Sequence, residues 1–99
     1  MEISETTRSL AEHLVQAHLH EHTFGSTHVQ QVRATIQTDC ANEAALYIEV
    51  TLSEPPEQAW PADDTQAIRW RILETLTSAL PGLNFYTKFR VGKPAHAGR

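Results

Sequence analysis

The sequence predicts an α+β domain built as a two-layer α-β-β-α-β sandwich, with two helices on one face of a three-stranded, mainly antiparallel sheet. Apolar residues recur at helical spacing in two segments and alternate with polar residues in three others. The chain has 99 residues, of which 40% are hydrophobic and 20% charged, enough for one folded core. We expect a single domain over residues 1–91 and a flexible tail over residues 92–99, because the tail has no apolar pattern.

The two predicted helices are defined by their apolar faces. In the first, from Ser4 as candidate N-cap to His20, the apolar stripe consists of Ile3, Thr7, Leu10, Leu14 and Ala17, widened by Ala11, Val15 and Leu19. We expect Asp63 to cap the second helix, with Gln66 as its capping-box partner, and we expect the helix to stop at Pro81-Gly82. Its predicted buried residues are Ile68, Ile72, Leu76, Ala79 and Leu80. Trp70 then falls on the opposite, exposed side of that helix.

The three predicted strands show a period of two. Segments 29–38 and 45–53 are joined by a short polar link, which predicts an antiparallel hairpin, and segment 83–91 forms the third strand. With both helices on one face, no part of the chain covers the other. The residues expected to project from that open face are Arg33, Tyr47, Glu49, Tyr86, Lys88 and Arg90.

The open face predicts a non-enzymatic interaction or oligomerisation module. Its expected partner-binding residues are Arg33, Tyr47, Tyr86, Lys88 and Arg90, together with Trp70. A homodimer is the simplest form, and a different protein partner is the other. Aromatic and basic side chains can also stack on bases and pair with phosphates, so a module that binds single-stranded RNA or DNA is an alternative. The net charge of −4 and seven acidic residues between positions 39 and 64 favour a protein partner.

A cluster of histidines near the end of the first helix indicates another possible function. His18 and His22 have the four-residue spacing of helical metal ligands, and His20 lies between them. Imidazole suits zinc, copper or nickel, so this cluster predicts a metal-binding or metal-sensing domain, with zinc as the candidate ion. A polar helix end, favoured by the helix dipole when the histidines are protonated, is the competing interpretation.

No motif in the sequence indicates an enzyme. The four glycines are isolated, which excludes a phosphate-binding loop, and there is no G-x-S-x-G elbow. The single cysteine, Cys40, has the acidic residues Asp39 and Glu43 as its charged sequence neighbours and no activating base or cation, and one cysteine excludes both an internal disulfide and a four-cysteine zinc site. No apolar run approaches ~20 residues, and the first ten residues lack a signal-peptide pattern. We therefore expect a cytoplasmic protein without a membrane partner.

The element order resembles known folds without a shared motif. It is similar to a cut-down KH or ferredoxin-like arrangement, and to the cytosolic domains of cation-efflux transporters. The GXXG loop of KH domains and the aromatic signature of RRM domains are both missing. The resemblance covers topology only, so it assigns the chain to no family.

Overall fold

The computed structural model describes residues 3–55 and 59–92 and confirms the α+β class. Its elements in chain order are helix α1 (Glu5–His20), strands β1 (Val29–Thr38) and β2 (Ala44–Leu52), helix α2 (Ala62–Ala79) and strand β3 (Phe85–Val91). The tail expected over residues 92–99 lies, apart from Gly92, outside the described residues.

The three strands form one sheet in the order β1-β2-β3. Strands β1 and β2 pair antiparallel, as the short polar link predicted, whereas β3 returns after α2 and pairs parallel to β2. The sheet is therefore mixed, with one pair of each kind. In this register the side chains of neighbouring strands lie level with one another across the sheet, and this determines which side chains are neighbours on each face.

The core lies between the inner face of the sheet and the two helices. Every element contributes to it, and its main buried members are Ala11, Val15 and Leu19 of α1, Val32 and Ala34 of β1, Leu46, Ile48, Val50 and Leu52 of β2, and Ile68, Ile72 and Leu76 of α2. Phe85 and Phe89 of β3 pack against this cluster while half-buried. Because both helices insert into the same cluster, they lie on one face of the sheet, as predicted.

The predicted stripe of α1 is rotated from the one that the structure buries. Leu10 is 45% exposed and Leu14 is half-buried, so this row does not face the sheet. Side chains on the sheet-facing side fix the rotation: Arg8 Nη1 donates to the carbonyl oxygen of Ala34 at 3.0 Å, and the Ala34 amide donates to Glu12 Oε2 at 2.9 Å. These bonds also satisfy backbone groups of the edge strand β1, which would otherwise be unpaired.

The two helices begin differently. Ser4 caps α1 as predicted, since its Oγ accepts a hydrogen bond from the Thr7 amide at 3.1 Å. The capping role predicted for Asp63 is wrong, because α2 begins at Ala62 and its N-cap residue is Pro61, which lies two residues before Asp63 and has no side-chain oxygen to cap the helix. Asp63 is instead an exposed residue of the first turn, where its charge still suits the helix dipole.

Candidate functional site

The outer surface of the sheet is the candidate site, and we call it the open sheet face. The register places its side chains in level rows across the three strands. These rows are Gln31, Thr51 and Arg90; Arg33, Glu49 and Lys88; and Thr35, Tyr47 and Tyr86. Neither described helix packs on this surface, since both pack on the opposite face. The strand alternation therefore placed all six residues predicted for this face together.

Two tyrosines form the aromatic centre of the open sheet face. Tyr47 of β2 and Tyr86 of β3 are register partners, with ring centroids 5.2 Å apart and ring planes inclined by 30°. Tyr86 is 41% exposed, and its hydroxyl donates to Asp39 Oδ2 at 3.0 Å. The hydroxyl group is thus held at one end while the ring stays accessible to a ligand.

Asp39, at the turn between β1 and β2, anchors this tyrosine, and sequence reasoning missed its role. Its Oδ1 accepts from the amides of Ala41 and Glu43 at 2.9 Å each, and its Oδ2 accepts from Asn84 Nδ2 and the Tyr86 hydroxyl at 3.0 Å each. Aspartate in a turn commonly binds the amides that follow it, so the first half of the network had a sequence signal. The bonds from Asn84 and Tyr86 depend on β3 and had none.

These hydrogen bonds determine the charge states of Asp39 and Tyr86 at the edge of the open sheet face. Hydrogen bonds from the Glu43 amide, and next from Asn84, lower the pKa of the Asp39 carboxyl, although burial acts in the other direction. The hydrogen bond to Asp39 in turn raises the pKa of Tyr86 above its ordinary value. At neutral pH the pair is an ionised carboxylate accepting from a neutral phenol.

The charges of the open sheet face are mostly positive. Glu49 lies level with Arg33 on one side and Lys88 on the other, and Arg90 Nη1 approaches its Oε1 at 3.4 Å. Neither Arg33 nor Lys88 forms an ion pair within the described part of the chain. Three bases against one acid give these rows a net charge of about +2, on a chain whose net charge is −4.

Trp70, predicted as a partner-binding residue, lies on a different surface. It is 59% exposed on α2, whose buried residues Ile68 and Ile72 face the sheet. A helix position two residues from a buried one points away from the core, so Trp70 and the open sheet face lie on opposite sides of the domain. An open groove of about 740 Å³ runs beside it, lined by Leu14, His18, Trp70, Leu73, Glu74, Thr75, Thr77, Ser78 and Ala79. The predicted site residues thus divide into two surfaces.

The histidines predicted as metal ligands are only partly brought together. The ring centroids of His18 and His22 lie 5.7 Å apart, with the planes inclined by 41°. Helix α1 ends at His20, so His22 lies just beyond it, and His20 is exposed. Within residues 3–55 and 59–92, no three or more histidine, cysteine or acidic side chains gather into a set that could hold a metal ion.

Trp60 and Cys40 lie in the segments that connect the helices and strands. Trp60 packs against the core, where its Nε1 donates to the Ser53 carbonyl oxygen at 2.7 Å and its ring lies 6.3 Å from that of Phe89. Trp60 therefore stabilises the loop before α2. Cys40 is a free, exposed thiol in the hairpin turn.

Comparison with known proteins assigns this chain to no family. No family model, curated protein or solved structure matches this chain. Over the described residues, neither α1 nor α2 is both long enough and apolar enough to cross a membrane. The open sheet face and the surface around Trp70 are therefore the features from which a function can be inferred.

Proposed function

We propose that this chain is a small, non-enzymatic interaction module that binds a protein partner on its open sheet face. The observation that carries the proposal is the Tyr47–Tyr86 pair, which lies on a sheet face that neither described helix covers and in which Asp39 holds the Tyr86 hydroxyl. Tyrosine is enriched among interface residues that dominate binding energy. Rings that are already fixed lose little conformational entropy when a partner covers them, so more of the contact energy remains for affinity.

The charges around the tyrosines favour a partner with an acidic surface. Arg33 and Lys88 flank the face and have no ion-pair partner among the described residues. Complementary charge speeds association and suppresses wrong partners. Acidic side chains on the partner would meet these two bases, while its apolar atoms would cover the tyrosine rings.

Single-stranded nucleic acid is the competing ligand for the same face. Tyrosine rings can stack on bases, and three bases stand nearby to meet phosphates. However, the carboxylate of Asp39 is bonded to Tyr86, and Glu49 lies at the centre of the charged row. A nucleic-acid strand carries a phosphate on every nucleotide, so some phosphates would lie against these two carboxylates, whereas a protein partner can place its acidic side chains over Arg33 and Lys88 alone.

A metal-binding role for the histidines is a second candidate, favoured by the His18–His22 distance alone. Two imidazoles on one ion, with metal–nitrogen bonds of about 2.0–2.1 Å, place their ring centroids roughly 5 Å apart. The observed 5.7 Å is close to that, so these rings could share an ion completed by water. Calorimetric titration with zinc at pH 7.5 tests it: no heat in the wild type, or equal heat after His18→Ala with His22→Ala, would reject the site.

Affinity capture with charge-reversed baits tests the main proposal. Wild-type chain, Arg33→Glu with Lys88→Glu, and a single reversal on α2, Arg71→Glu, are used as baits, each checked for folding by circular dichroism. We expect the wild type and Arg71→Glu to retain the same protein, and the double reversal to lose it. With that protein purified, calorimetry should show at least a tenfold weaker Kd for the double reversal.

Two outcomes would contradict the proposal. One is a captured protein that binds all three baits equally, because its site would then lie elsewhere. The other is sub-micromolar binding of a mixed-sequence single-stranded RNA at about 150 mM salt, falling steeply as salt rises, which is the signature of counterion release. Fluorescence anisotropy with labelled RNA measures the second directly.

A further inference from the structure

We infer that a second copy of this chain docks on the outer side of the helical layer, over the groove between α1 and α2. This inference does not rest on the proposed function, since it concerns the opposite side of the domain. The groove is lined by Leu14 and His18 of α1 and by Trp70, Leu73 and neighbouring residues of α2. We call this surface, with Leu10 one turn before Leu14, the helical groove.

The helical groove gathers exposed apolar side chains that the core does not use. Trp70 is 59% exposed, Leu10 45% and Leu73 43%, and Leu14 is half-buried between the helices. Isolated exposed leucines need no explanation, but an exposed tryptophan beside several leucines marks an interaction surface. On α1, Leu10 is exposed and Leu14 is half-buried in the helix rotation at which Arg8 and Glu12 bond to the backbone of β1.

The charges of the helical groove favour a second copy as the occupant. A two-fold interface brings the same surface of two copies together, so a net charge on one copy would be repelled by the same charge on the other. Glu74 is the carboxylate that lines the groove, Arg71 beside the groove pairs with it at 3.8 Å, and Thr77 and Ser78 are uncharged, which leaves the groove close to neutral. The open sheet face carries about +2, so two copies would repel one another there. Symmetric association is therefore favoured on the helices.

The size of the helical layer also suits a dimer. Helix α1 has 16 residues and α2 has 18, so the layer is about 24 Å long. Two adjacent helices are roughly 20 Å wide, which gives about 480 Å² in projection. The accessible area of a corrugated helical surface exceeds its projection. The projection alone supplies roughly three fifths of the ~800 Å² that each partner of a stable complex buries, and the corrugation of the surface adds to it.

A dimer joined in this way would leave both open sheet faces uncovered, on the two outer sides of the assembly. A partner carrying two acidic sites could then bind both faces, and the second contact would form at a raised effective concentration. Self-association and partner binding would use different residues, so each can be removed without the other.

Sedimentation velocity tests the inference with the full chain between about 5 and 200 µM, concentrations that span ordinary micromolar affinities. We expect the wild type to reach twice the mass of the monomer. Leu73→Glu and Trp70→Ala should each raise the dimer Kd about 30-fold or more, because both truncate or charge the centre of the interface. Both positions are exposed, so the variants should stay folded by circular dichroism.

Matched controls separate the surfaces. Val91→Glu alters an apolar residue of β3 that is 60% exposed and lies outside the groove, and it should leave the dimer unchanged. Lys88→Glu, on the open sheet face, should not weaken it. A wild-type monomer at 200 µM would overturn the inference, and so would a dimer that persists in Leu73→Glu but dissociates in Lys88→Glu. Neither result would decide whether the sheet face binds another protein.

Discussion

The turn between α1 and β1 offers a prediction whose size follows from the structure. Gly25 has φ +61°, in the left-handed region, and a Cβ placed there would stand 2.8 Å from Asp64 Cγ. Asp64 is the half-buried residue of α2 whose Oδ2 accepts from Thr27 Oγ1 at 2.8 Å. Gly25→Ala therefore strains the backbone and displaces the carboxylate that ties α2 to this turn.

Both costs can be estimated. A left-handed alanine costs about 1–2 kcal/mol. Displacing Asp64 removes a hydrogen bond to a charged group, worth about 1.5–3 kcal/mol, and leaves the buried Thr27 hydroxyl without that acceptor. We expect Gly25→Ala to lower the free energy of unfolding by roughly 3–4 kcal/mol. Thr27→Val, which removes only the hydrogen bond, should lose about half as much.

Gly82→Ala is the matched control. Gly82 also has a left-handed φ, +85°, but a Cβ there meets nothing within 4 Å. Its loss should be only about 1–2 kcal/mol, from backbone strain alone. Urea unfolding followed by far-ultraviolet circular dichroism measures all three variants. Equal losses at the two glycines would refute the role assigned to the Asp64 contact.

Three further predictions concern single contacts. Asp39→Asn should lower the free energy of unfolding at pH 7. Because the folded pKa of Asp39 is lowered, the stability that its carboxylate contributes is present above about pH 4 and is lost as the pH falls further. Unfolding measured at decreasing pH should therefore show the difference in stability between variant and wild type becoming smaller. Trp60→Phe should cost about 0.5–1.5 kcal/mol in urea unfolding, through loss of the bond to Ser53, and no loss would contradict that. Glu12→Ala should cost about 1–3 kcal/mol and speed hydrogen exchange at the Ala34 amide, and unchanged exchange would argue against this contact.

Periodicity predicted the elements and the faces of the sheet well. The alternation of β2 and β3 placed Tyr47 and Tyr86 on one surface, and the structure shows them as neighbours. Alternation suffices there because a strand has only two faces, so parity alone decides the side. A helix offers a continuous range of rotations. The row of Leu10 and Leu14 and the row of Ala11 and Val15 both fitted the helical period, and only the second is buried.

The features that sequence reasoning missed depend on contacts between distant residues. The rotation of α1 is fixed by bonds from Arg8 and Glu12 to the backbone of Ala34, which no local pattern reveals. Likewise, Asp39 and Tyr86 meet only because β3 pairs parallel to β2. The separation of Trp70 from the open sheet face depends on how the helices pack on the sheet. The periodicity of a helix or a strand gives the faces of that element alone and not its position relative to the other elements.

Site-specific photo-crosslinking in the native cells tests the central claim most directly. Thr35 lies level with the two tyrosines on the open sheet face, so a p-benzoylphenylalanine placed there samples whatever covers them. The same group at Gln16, an exposed position of α1, is the control. We expect a protein adduct at position 35 that resists ribonuclease and is missing from the control. An adduct removed by ribonuclease, or no adduct at position 35, would contradict a protein-binding sheet face.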